Sequence, residues 1–147
     1  MSDMNYTNAI KRKLDELEVN YSFRDMDSKV VFTIPHQSKV VPVLNLMCIL
    51  EDGDHVKLVC VLARDTAPEK RAELLKVINK LTISYRYIRY ALDKDNDIIA
   101  DYDFRLYGDE EASALHFFSR MLLAFDILEE AVKKIMPVLW KDDDDDD

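Results

Sequence analysis

Between Ile98 and Tyr107 the chain alternates, with Ile98, Ala100, Tyr102, Phe104 and Leu106 on one side and Asp101, Asp103 and Arg105 on the other. A period of two belongs to a strand with one face in a core and the other in water. Gly108 stops the alternation, and beyond it the apolar period lengthens to that of a helix that Asp109 or Ser113 can cap and that Pro137 is expected to end after Met136. A chain that carries both periods in succession belongs to the α+β class.

The same two periods organise the rest of the chain. Tyr6, Ile10, Leu14 and Leu17 predict a helix over about Met4 to Glu18. Val19 to Met26 reads as extended, and Val30 to Ile34 is a β-branched run that Pro35 is expected to end. Pro42 to Leu50 is almost wholly apolar, Glu51-Asp52-Gly53-Asp54 has the composition of a tight turn, and His55 to Ala63 returns. With Asp52 and Gly53 as a two-residue loop, Cys48 falls opposite Lys57 and Cys60 opposite Asn45, so the thiols do not pair. Asp65, Thr66 and Pro68 start a second helix that reaches about Leu81 on a face of Leu74, Leu75, Val77, Ile78 and Leu81. Ser84 to Leu92 and Ile98 to Tyr107 are strands around the polar loop Asp93 to Asp97. In the long helix the inner stripe is expected to be Leu115, Phe118, Leu122, Phe125, Leu128, Val132 and Ile135. That leaves Phe117, Met121 and Leu123 on a second, outward side.

Residues 1–141 are read as one domain, and Asp142 to Asp147 as a disordered tail, because like charges with no apolar neighbour cannot bury anything. Charge excludes several partners. The 20 Lys and Arg face 29 Asp and Glu, but without the terminal aspartates the net charge is only −3. The basic groups, Lys11 to Lys13, Lys70 with Arg71, and Arg86 with Arg89, are too short and interrupted to track a phosphate backbone, so no nucleic acid is expected. The apolar run Val40 to Leu50 is too short to cross a membrane. Polar residues open the chain and Cys48 and Cys60 sit in apolar runs as buried thiols, which together predict a cytoplasmic protein.

No constellation with the spacing of a catalytic or metal site emerges. Asp93, Asp95 and Asp97 alternate like calcium ligands, but Ile98 stands where the loop needs Gly and Phe104 where it needs a bidentate acid. Asp101 and Asp103 share a strand face without a neighbour that would separate their pKa values. His36, His55 and His116 are scattered, so neither zinc with a cysteine nor a Cys and His nucleophilic pair is motivated. No cofactor is expected.

The aromatic residues stand out as a group. Tyr85, Tyr87, Tyr90, Tyr102, Phe104 and Tyr107 crowd one hairpin, with Tyr85 and Tyr87 on a common face next to Arg86. Tyr beside Arg is the composition of a protein interface. The candidate interaction residues are therefore Tyr85 and Tyr87, together with Phe117, Met121 and Leu123 on the outer side of the long helix.

From about Leu74 through Val132 the chain shows a helix, a Tyr-rich strand, an acidic loop, an alternating strand and a long helix rich in Phe and Leu. In this it resembles the YbjN-like family, bacterial proteins described as sensory transduction regulators with a fold like that of type III secretion chaperones. The resemblance implies helix, antiparallel strands, helix, two-stranded hairpin and long C-terminal helix, with the helices on one side of the sheet. It implies no catalytic residues. The expected function is a non-catalytic protein-binding or regulatory module of chaperone-like kind, acting on another protein or on itself as a homodimer. A small enzyme with an unrecognised site and a purely structural domain are the alternatives. Deleting Asp142 to Asp147 should leave the thermal unfolding midpoint unchanged within a few degrees at moderate salt, and a larger fall would mean that the tail packs on the body.

Overall fold

The computed structural model describes residues 5–85 and 87–141, so the terminal Asp142 to Asp147 run read as a tail lies outside the described residues. The elements are α1 (Tyr6–Glu16), β1 (Ser22–Met26), β2 (Lys29–His36), β3 (Leu44–Glu51), β4 (His55–Ala63), α2 (Arg71–Ser84, entered through a 3-10 turn at Pro68–Lys70), β5 (Arg89–Leu92), β6 (Ile98–Arg105) and α3 (Glu110–Trp140). The six strands form one antiparallel sheet in the order β1-β2-β3-β4-β6-β5.

The alternation read from β6 holds in its neighbours. Leu44, Leu46, Cys48 and Leu50 on β3 are buried, as are Val56, Leu58, Cys60 and Leu62 on β4 and Ile98, Ala100 and Tyr102 on β6. All point to the side where the three helices lie, and they share one core with Ile10 and Leu14 of α1, Leu74, Ile78 and Leu81 of α2, and Phe117, Leu128 and Ile135 of α3.

The β3–β4 register differs by one residue from the expected one. Glu51 pairs with His55, Cys48 with Leu58 and Leu46 with Cys60, so the loop has three residues, with Asp52 and Gly53 both left-handed. A two-residue loop would set the even-numbered residues of β3 against the odd-numbered residues of β4 and put Lys57 on the core face, which burial forbids. The thiols remain unpaired and buried.

Two prolines do not end the elements they were expected to end. Pro35 lies inside β2, opposite Asn45; β1 stops opposite Thr33, so this part of β2 has a neighbour on one side only, where proline is tolerated. Pro137 lies in the last turn of α3, which continues to Trp140 with Val138 and Leu139 packed on the core. That end is capped from α2's entry: Lys70 Nζ donates to the carbonyls of Leu139, at 2.8 Å, and Lys141. A cation on the last carbonyls of a helix satisfies acceptors that have no partner within it. Trp140 itself is exposed rather than folded back. The other end is capped by Asp109, whose carboxylate accepts from Ala112 N at 2.7 Å.

The stripe that α3 buries is also offset from the expected one. Phe117 and Met121, expected outside, are each 2% exposed, whereas Leu115 and Leu122, expected inside, are 52% and 47% exposed. The face that α3 buries includes Ala114, Ala124 and Ala131 beside Phe117, Met121, Phe125 and Leu128. A stripe drawn through the largest side chains misses that face, because a buried alanine contributes little to the hydrophobic pattern. Phe117→Ala should therefore cost about 3–5 kcal/mol and Leu122→Ala less than about 1 kcal/mol. Urea unfolding of the two variants checks the ranking, and the reverse order would restore the outer placement of Phe117.

Candidate interaction surface

The polar groups suspected of chemistry are committed to structure. Asp93 Oδ1 accepts from the backbone N–H of Asp95 and Asp97, while the Arg71 guanidinium donates to the carbonyls of Leu92 and Asp93 and to Asn96 Oδ1. Asp97 in turn accepts from Asp65 N at 2.7 Å. The acidic loop is thus a clasp that joins the β5–β6 turn to the start of α2. Asp101 and Asp103 are bridged on the open sheet face by Arg89, through Nε to Asp101 at 2.9 Å and Nη2 to Asp103 at 3.0 Å. One guanidinium thus ties both carboxylates to β5 as a structural bridge. Burial pushes the Cys60 thiol up to about 12 and the Cys48 thiol higher, which makes both poor nucleophiles. His36 stacks on Phe125 at 4.4 Å, His55 lies 3.7 Å from Asp103 and His116 lies on α3, so the three imidazoles stay in separate environments. No group of three or more His, Cys, Asp or Glu is arranged to hold a metal ion among the described residues.

The surface with a distinct construction is aromatic. β6 projects Tyr102 and Phe104 toward α3, with ring centroids 5.5 Å apart. Phe104 meets His116 edge-on at 5.3 Å, and His116 meets Tyr107 at 5.7 Å. On the other side Tyr102 meets Tyr87 at 5.4 Å, and the Arg120 guanidinium lies over the Tyr87 ring, 5.2 Å from its centroid. Tyr107 is 73% exposed and Tyr87 49% exposed. The Tyr87 backbone is left-handed, with φ of +81°. An aromatic residue there costs about 1–2 kcal/mol, so its surroundings must hold it in place.

The five residues singled out from the sequence do not form one surface. Phe117 and Met121 belong to the core, and Leu123 is half-buried against it. Tyr85 and Tyr87 do not share a strand face, because α2 runs on to Ser84 and β5 begins only at Arg89. Tyr85 ends the helix and lines a groove with Val77, Lys80 and Lys134, whereas Tyr87 turns toward β6 and α3. Tyr107 was counted among the aromatic residues of the hairpin and His116 weighed only as a metal ligand, neither as an interaction residue, and Arg120 was not singled out. The His116 and Arg120 spacing of four residues is legible as one helix face, but nothing in the sequence brings that face to Tyr87. Also missed was the far side of the sheet, where Met47, Ile49, Val59, Val61 and Ile99 stay partly exposed between charged neighbours. The continuous apolar run of β4 is the signal of a strand covered on both faces. Burial first, and the nearby Arg120 charge second, hold the His116 imidazole below its ordinary pKa. Arg120→Gln should raise the His116 midpoint, read from its ring proton shifts against pH, while burial keeps it below the ordinary value; an unmoved midpoint would separate the two side chains.

Against known proteins, the family model described as "Putative bacterial sensory transduction regulator", YbjN, matches residues 8–130. No curated protein matches the sequence. Among solved structures the chain is similar to the one titled "Crystal structure of YbjN, a putative transcription regulator from E. coli", with 12% identity and a TM-score of 0.54 over 86% of this chain and 87% of that one. At that identity the likeness speaks for the fold, and it agrees with the α+β arrangement described above. Because the family model spans well over half of its length, the chain belongs to the YbjN family.

Proposed function

We propose that this protein is a non-catalytic regulatory module that acts by binding another protein through the aromatic surface around Tyr87 and Tyr107. The observation that carries the reading is Tyr87 itself, an exposed ring on a strained left-handed backbone, backed by Tyr102 and overlain by Arg120. Strain at an exposed aromatic residue does not help folding, and rigid tyrosines beside an arginine bind partners at little entropic cost. The regulator description of the family model points the same way. So does the engagement of the suspected acid, base and thiol groups in structural bonds or burial. Chaperone-like action, the cradling of a client protein, is a form of the same reading.

Self-association is the second reading, and the apolar far side of the sheet favours it, since Met47, Val59 and Val61 could be covered by a second copy. The two unpaired buried thiols fit a reducing cytoplasm. Among the described residues no helix is long and apolar enough to cross a membrane. A photo-crosslinking residue placed at Tyr107 should trap a discrete partner in cells, whereas the same residue at Glu73 on α2 should not. Sedimentation across a micromolar concentration series then tells a second copy from another protein. Equal capture at both positions would remove the aromatic surface from consideration.

A further inference from the structure

The contacts of Tyr87, Tyr102, Phe104 and His116 run in sequence from ring to ring, and Arg120, one helical turn beyond His116, returns over Tyr87. Five side chains therefore close a circuit. Its aromatic members are satisfied by one another, but the guanidinium is not: among the described residues Arg120 makes no ion pair and donates no hydrogen bond. Arg12, Arg71, Arg89 and Arg105 find acceptors; Arg24 and Arg64, like Arg120, do not among the described residues, and what sets Arg120 apart is its place over the Tyr87 ring. A guanidinium carries five N–H donors in a planar fork, and one set over a tyrosine ring keeps its edge free for a planar acceptor with two oxygens.

We infer that this circuit is the docking point for an Asp or Glu side chain of a protein partner, with the carboxylate on Arg120 and a neighbouring apolar side chain of the partner on Tyr107. The inference rests on the protein-binding reading above and adds the chemistry of the partner. Charge selects this occupant. Among the described residues one unpaired cation, beside an imidazole that burial holds below its ordinary pKa, matches a single carboxylate, and that imidazole can donate one hydrogen bond. A polyphosphate backbone would need several clustered cations, and the body of this chain carries more acids than bases. The exposed Tyr107 ring, in contact with His116, offers the apolar shelf that a lone carboxylate site would lack.

The test uses the full chain and two blocked dipeptides, acetyl-Asp-Phe-amide and acetyl-Asn-Phe-amide, which differ only in the charge of one group. Binding is followed by the NMR signals of Arg120 Nε–H, the His116 ring and the Tyr87 backbone. The Asp peptide should bind at least about tenfold more tightly than the Asn peptide, as a charge-assisted bond to guanidinium predicts. Arg120→Gln should abolish that preference and Arg120→Lys should retain part of it, with a dispersed spectrum showing that each variant is folded. Equal binding of the two peptides, no movement of these signals, or a preference that survives in Arg120→Gln would each overturn the inference. If the crosslink at Tyr107 persists while the charge preference is absent, only the carboxylate assignment falls; loss of both removes the protein-binding reading as well.

Discussion

The pairing of β4 with neighbours on both edges is the constraint from which the rest of the structure follows. β3 binds one edge and β6 the other, in registers that put Cys48, Leu58 and Tyr102 in one row and Leu46, Cys60 and Ala100 in the next. Every residue of these rows faces the helices, so the apolar floor is continuous across three strands. A slip of one residue at either edge would turn that floor outward and bring Lys57 or Asp101 inward. The three-residue turn at Asp52 to Asp54, with two left-handed residues, is the local device that holds the register.

Over this floor α3 packs beside α1 and α2. Ala114, Ala124 and Ala131 are among its buried residues, and Phe117 reaches between Phe32 and Phe104, at 6.2 and 6.5 Å between centroids. Bonds at both ends fix its rotation. Near the start, the Tyr6 hydroxyl donates to Gly108 O and Glu110 accepts from Asn5 N and Arg12. At the far end Lys70 holds the last carbonyls. With the rotation fixed, His116 and Arg120 face β6 and the Tyr87 ring instead of solvent alone.

The aromatic surface is thus a consequence of packing at some distance from it. Tyr87 lies in the short passage between the end of α2 and the start of β5, and that passage is anchored on both sides. α2 is fixed by its core stripe, and β5 by β6 and by the Arg71 clasp on the acidic loop. A passage held at both ends has little freedom to relax the left-handed turn, which is how the strain at Tyr87 persists. The same anchoring gives the rings fixed positions, the property that a recognition surface needs in order to bind without ordering itself first.

What the sequence determined by itself was every feature that depends on local period and local chemistry. The inward set Ile98 to Leu106, the helix start after Gly108, the β3–β4 hairpin and the element order are legible because each is set by spacing along the chain. Even the correct β3–β4 register was available, since apolar residues at even positions on both strands require a loop with an odd number of residues. Tertiary structure alone decided the face that α3 buries, because that face includes alanines whose weak hydrophobic signal only the surrounding packing makes meaningful. It likewise carried β2 through Pro35 and α3 through Pro137, where the loss of one bond matters less than the packing around it. And only the tertiary structure could bring Arg120 to Tyr87, residues 33 positions apart in the chain that meet because a sheet and a helix lie between them and nothing local does.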